Sequence, residues 1–206
     1  MASVARDNGR LPLCPDLMPT LLDTNIADQI RLLEQARALS PVVEQAGAVL
    51  AEALRGGHKI MFCGNGGSAA DSQHLAAELT GRFIKDRRPL AAMALSTDTS
   101  ALTCIGNDYS FDDVFARQVS GLGRAGDVLV GISTSGNSGN VIRAVEAAQG
   151  AGMKVVGLLG RDGGKLAPMC DVAVVVPHSV TARIQECHIL IGHTLCGLVE
   201  TSLGLA

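Results

Sequence analysis

The 206-residue chain is poor in aromatic residues: it has no tryptophan, one tyrosine and four phenylalanines. It carries no lysine/arginine block, and its formal net charge is −3. A nucleic-acid partner needs a basic stripe and stacking platforms, so no nucleic acid is expected as a ligand. No apolar run is long enough to span a bilayer, and the first residues lack the basic-then-apolar pattern of a signal peptide. No membrane association is expected, and the cytoplasm is the default location. The six cysteines, at positions 14, 63, 104, 170, 187 and 196, include no C-x-x-C pair. Their apolar neighbours read as reduced core thiols. Cys187 beside His188 is the one adjacent thiol–imidazole pair. Neighbours on a helix point in different directions, so this pair also reads as packing.

Glycine, by contrast, is abundant at 24 residues, hydrophobic residues make up 47% and the mean hydropathy is +0.28. Such a chain is ordered and well buried, and an α/β protein with glycine-bearing strand–helix turns has this composition. The length suits one domain. Residues 1–19 lack periodicity and read as a flexible arm. Over residues 20–39 and 41–55 apolar residues recur at helical spacing, giving two N-terminal helices that stop at Gly56-Gly57. Ile26, Ile30, Leu33 and Ala36 line one face of the first helix. An apolar face outside a sheet needs a partner, so this helix is expected between subunits.

From residue 58 strands and helices alternate. The strands are KIMFCG, PLAAMALS, DVLVGIS, KVVGLLG and VAVVVP. Helices are expected over AADSQHLAAELTGRF, a short stretch through Ile105, FDDVFARQVSGL, the segment ending at Gly150, and ARIQECHILIGHTLCGLVETSL. Unbroken Val/Ile/Leu strands alternating with helices predict a doubly wound, five-stranded parallel sheet flanked by helices, with the extra N-terminal helices outside it. Ligand loops in such sheets gather at the C-terminal strand ends.

Two loops fall there. Residues 127–138, DVLVGISTSGNS, run from a strand into a loop with four hydroxyls, Ser133, Thr134, Ser135 and Ser138, just before a helix. Helix N-termini favour anions, and hydroxyls add donors without charge, so the loop reads as a phosphate cradle. The plainer alternative is a serine-rich turn with an N-cap at Asn137 or Ser138. The second loop, Gly64-Asn65-Gly66-Gly67-Ser68, lets backbone N–H groups approach a ligand closely. It matches neither the dinucleotide fingerprint nor a P-loop, and it gains meaning from occurring beside the first.

The helix after it carries His74 and Glu78, about 6 Å apart along the axis on one face. They can share a divalent metal, or act as a base with its orienting partner, or form an ordinary polar pair. The last helix carries Gln185, His188 and His193. Gln185 and His193 lie about 12 Å apart along the axis, so His188 is an equal candidate on spacing alone. Asn107-Asp108 can grip sugar hydroxyls or simply make an Asx turn.

Taken together, GNGGS, QHLAAELTGRF, IGND, GDVLVGISTSGNS and RIQECHILIGH resemble, in order and spacing, the bacterial phosphoheptose isomerases of the sugar-isomerase (SIS) superfamily. The likeness runs from about residue 20 to 200 and implies a SIS, flavodoxin-like domain over residues 58–206. It implies Glu78 as base and zinc ligand, with His193 as second catalytic group. It implies a zinc site of His74, Glu78, Gln185 and His193, favouring His193 over His188, with one Zn2+ per subunit. Substrate contacts implied are Asn65, Gly66, Gly67, Ser68, Glu78, Asn107, Asp108, Ser133, Thr134, Ser135, Ser138 and Gln185. The family forms homotetramers with active sites at subunit interfaces, and its substrate is a small sugar phosphate. The implied reaction converts sedoheptulose 7-phosphate to D-glycero-D-manno-heptose 7-phosphate through an enediol. SIS proteins that bind the replication initiator lack the helix glutamate and terminal histidine; this chain has both.

Overall fold

A computed structural model describes residues 18–206, so the arm expected over residues 1–19 lies almost wholly outside the described residues. Helix α1 (Leu21–Ala36) starts at a capping box, in which Thr20 accepts from the Asp23 N–H and Asp23 accepts from that of Thr20. A single tight turn joins it to α2 (Ser40–Arg55), which opens with proline in its first turn and stops at Gly56. The sheet follows: β1 (Ile60–Gly64), α3 (Gly67–Thr80), β2 (Ala92–Ala94), α4 (Thr99–Asp108), α5 (Ala116–Leu122) and β3 (Val128–Ser133). It is completed by α6 (Gly139–Gly150), β4 (Lys154–Gly160), β5 (Val172–Val176) and α7 (Thr181–Ser202).

All five strands are parallel, in the order β2-β1-β3-β4-β5. Side chains alternate across the sheet as period-2 geometry requires. Ile60, Phe62, Val128, Val130 and Leu158 face a core shared with α2, α3 and α7, while Met61, Cys63, Leu129 and Leu159 face one shared with α5 and α6. Both faces are covered, which is why β1 and β3 read as unbroken apolar runs. Strand order reverses between β1 and β3, and ligands bind at such a switch point.

Several boundaries differ from the sequence expectation. The second strand shrinks from residues 89–96 to Ala92–Ala94 because it is a sheet edge entered through Pro89. The helix carrying His74 begins two residues early, at Gly67, and ends at Thr80 rather than Phe83, with Gly81 as its cap. Asp98 caps α4 by accepting from the Ala101 N–H, and α4 runs through Asn107 and Asp108, so those residues end a helix rather than form an Asx turn. Residues 111–122 split into a tight turn and α5. Of the five described cysteines, Cys63, Cys187 and Cys196 are buried. Burial pushes the Cys63 thiol up to about 12, which leaves it inert. Cys104 corrects the core-thiol expectation: it lies exposed on α4, with its thiol against the Asp108 carboxylate.

Candidate active site

Both helices that point at the switch point start without a side-chain cap. Gly66, at φ 57°, precedes α3, and Ser138 precedes α6. Ser138 holds the cap position, yet its hydroxyl pairs with Ser133 Oγ at 2.8 Å instead of with a helix N–H. Asn137 is equally occupied elsewhere: its amide donates to Ser135 O and accepts from the Lys165 N–H. The capping alternative for the 133–138 loop is therefore not what the fold uses. Among the described residues, the first-turn N–H groups of α6 have no side-chain cap, and they lie beside the Ser133, Ser135 and Ser138 hydroxyls and Thr134.

The two loops are tied together. Asn65, after β1, and Asn140, in the first turn of α6, exchange two amide hydrogen bonds of 2.8 Å across the crevice. Behind the cradle, the turn after β4 packs backbone to backbone: Leu166 N–H donates to Gly136 O, and a Cβ on Gly136 would fall 2.2 Å from Gly163 O. Ser68 is buried in the first turn of α3. Asn107 donates to Asp108, which also accepts from Cys104, so these two exposed residues bond to α4 itself rather than to the cradle.

Helices α3 and α7 run side by side in the same direction. Gly67 lies under the Gln185 amide, and Gly192 gives room to Leu75. That register brings His74 Nε2 to 2.8 Å from His193 Nε2 and 3.3 Å from Glu78 Oε1. One ligand atom from each of the three lies within 4.8 Å of the others. Gln185 sits at the opposite end of α3, against Gly67. His193 is held from behind by Phe83, whose ring stacks on it at 5.6 Å. Sequence reasoning missed Asp71, one turn before His74, although 71, 74 and 78 share a helical face. Burial raises its carboxyl pKa, opposed by the two imidazoles, and its Oδ2 has no partner among the described residues.

His188 is separate. Its Nε2 donates to Leu159 O under the sheet, and burial holds its pKa down at about 4, against an ordinary value of 6.5. Protonation is thus harder folded than unfolded. Stability is intact above the unfolded pKa and is lost as pH falls from about 6.5 towards 4, by about 3 kcal/mol at most. Urea unfolding from pH 7 to 4.5 should show that loss, and His188→Gln should flatten it. An unchanged acid slope in the variant would mean His188 is not the group titrating.

An uncapped pair of helix N-termini at a switch point, with a carboxylate–imidazole cluster along one of those helices, defines an anion-binding α/β domain equipped for proton transfer. The SIS domain family matches residues 26–160. The phosphoheptose isomerase of a Nitratiruptor species is 59% identical over 178 residues, which are 83% of this chain and 95% of that protein. The structure of phosphoheptose isomerase GmhA from Neisseria gonorrhoeae matches with a TM-score of 0.84 at 54% identity, over 87% of this chain and 97% of that one. That of a phosphoheptose isomerase from Francisella tularensis matches with a TM-score of 0.85 at 38% identity, over 87% and 96%. The chain belongs to the phosphoheptose isomerase family of SIS-domain proteins. Among the described residues, no helix is long and apolar enough to cross a membrane.

Proposed function

We propose that this chain is an aldose–ketose isomerase of heptose synthesis, converting sedoheptulose 7-phosphate to D-glycero-D-manno-heptose 7-phosphate in the cytoplasm. The observation that carries the reading is the convergence of Glu78, His74 and His193 in a chain of this family. A module that only binds sugar phosphate needs the cradle and has no use for that cluster.

The cradle grips the phosphate through Ser133, Thr134, Ser135, Ser138 and the α6 amides, and this remote binding energy positions the reacting end. Asn65, Gly66, Gly67, Ser68, Asn107, Asp108 and Gln185 contact the phosphate loop side and the sugar hydroxyls. Glu78 removes a proton from carbon 1, leaving its electron pair in an enediol, and returns a proton at carbon 2. His193 carries the accompanying proton from the carbon-1 oxygen to the carbon-2 oxygen. His74, in contact with both, holds their relative position.

The donor set fits a zinc ion. Two imidazole nitrogens 2.8 Å apart have facing lone pairs, which need a proton or a cation between them, and Glu78 adds an anionic oxygen. We assign the ligands as His74, Glu78 and His193, one zinc per subunit, and leave out Gln185, which the family resemblance had included but which is seated against Gly67 at the other end of α3; bound there, zinc supplies Lewis-acid polarisation of the reacting oxygens.

Residues 67 to 78 of α3 rise about 16 Å. That separation, with the exposed apolar face of α1, suits a substrate held between copies of the chain. We propose a homotetramer in which the cradle of one copy faces the Glu78 of another. Leu21, Leu22, Ile26 and Ile30 expose the apolar face such an assembly would cover.

The deciding experiment is turnover of sedoheptulose 7-phosphate, with chelator-treated and zinc-restored protein beside the untreated enzyme. Conversion that falls on chelation and returns with zinc is expected. No conversion under any condition overturns the isomerase assignment, and full activity in metal-free protein removes zinc.

A further inference from the structure

The structure assigns a positioning role in this reaction to the buried ion pair Arg87–Glu200, which fixes where Glu78 and His193 stand relative to each other. Neither residue reaches the cluster, and the inference rests on the isomerase reading of Glu78 and His193.

The side chains of Arg87 and Glu200 are 2% and 1% exposed, and Arg87 Nε donates to Glu200 Oε1 at 2.7 Å. The rest of the guanidinium works on the end of α3. Its Nη2 donates to the main-chain carbonyl of Glu78 at 2.8 Å, and Nη1 donates to Leu79 O at 2.8 Å and Gly81 O at 3.0 Å. The last carbonyls of a helix have no intrahelical partner, so one fixed cation satisfies the turn that carries Glu78.

Glu200 works on the other side. It lies on α7 two turns beyond His193, and its Oε1 also accepts from the Phe83 N–H at 3.2 Å. Phe83 in turn stacks on the His193 ring with an interplanar angle of 19°. One buried pair therefore clamps the Glu78 turn on α3, the ring behind His193, and α3 to α7.

A pair selected only for stability would not look like this. Buried charges lose hydration that their attraction barely repays, and apolar residues of similar volume are often as stable. Glu200 Oε2 is moreover buried with no partner among the described residues. What the pair supplies that apolar residues cannot is direction: a planar fork aimed at three carbonyls and an acceptor aimed at one N–H. Displacing a reacting group by about 1 Å can slow turnover about a hundredfold without weakening remote binding.

The test is the double variant Arg87→Met/Glu200→Leu, with Arg87→Lys and Glu200→Gln as milder single changes. Melting temperature, kcat and KM for sedoheptulose 7-phosphate, and the imidazole NMR signals of His193 are measured for each. The expected result is a folded double variant whose KM stays within about threefold and whose kcat falls at least about tenfold. The His193 signal loses the ring-current shift imposed by Phe83. Should the double variant not fold, the two single variants decide by the same kcat and NMR readouts. Folded variants with wild-type kcat and an unmoved His193 signal overturn the role. If the wild-type chain itself does not convert the substrate, the isomerase reading fails, and the NMR shift alone still judges whether the pair positions His193.

Discussion

Glu78→Gln is expected to lower kcat by about a thousandfold while sugar phosphate still binds with near wild-type affinity. The amide keeps the shape of the carboxylate but cannot accept a proton, and a positioned base contributes about 10²–10⁴-fold. Binding persists because the phosphate is held by the end of β3 and the start of α6, elements that do not carry Glu78. A change in metal content could lower kcat by another route, so zinc per subunit is measured in the same preparation. Exchange of the carbon-1 hydrogen with deuterated solvent isolates the step: the wild-type enzyme exchanges it, and the variant does not. Residual exchange above about a tenth of the wild-type rate would take Glu78 out of the base role.

The same variant tests how copies share a site. If cradle and base come from different copies, Glu78→Gln chains mixed with Ser133→Ala/Ser138→Ala chains form some sites in which both halves are intact. Activity should then reappear in a mixture of two nearly inactive proteins. No recovery after refolding them together would confine each substrate to a single chain.

The sheet was legible because its inner strands are buried on both faces and so read as uninterrupted apolar runs between helices. The position of the hydroxyl-rich loop between β3 and α6 was legible because its hydroxyls fall within six residues after an apolar strand. Where the loop's donors would point was not: Ser138 lies at a cap position, and only its bond to Ser133 shows that it leaves the helix N–H groups free. The meeting of His74 with His193 depends on a helix crossing set by Gly67 and Gly192, and no periodicity within either helix reports it. His188 and His193 were equal on spacing for that reason, and the resemblance chose between them. The extent of α4 was missed because Gly106 and Asn107 are poor helix formers, outweighed here by the Asp98 cap. Arg87 was hidden among exposed Arg82, Lys85 and Arg88, a stretch that reads as solvated surface.

Gly136→Ala should cost about 3 kcal/mol of stability and most of the affinity for phosphate. Two causes add. Gly136 sits at φ +67°, where a β-carbon costs about 1–2 kcal/mol. That carbon would also lie 2.2 Å from Gly163 O and 2.7 Å from Gly164 N, which are backbone atoms unable to swing aside. The loop or the turn behind it must move, and Leu166 N–H to Gly136 O is the first hydrogen bond lost. For a chain of this size the melting temperature should fall by about 10 °C. Gly150→Ala is the control: it ends α6 with open space around it and no positive φ, so it should leave stability unchanged or slightly raised. Calorimetry with inorganic phosphate then separates the effects. Gly136→Ala should bind at least about tenfold more weakly at temperatures well below its melting point, since donors at a helix N-terminus act only over the first turn. Wild-type melting and wild-type phosphate affinity in that variant would mean the interlock between the two loops neither shapes nor holds the cradle.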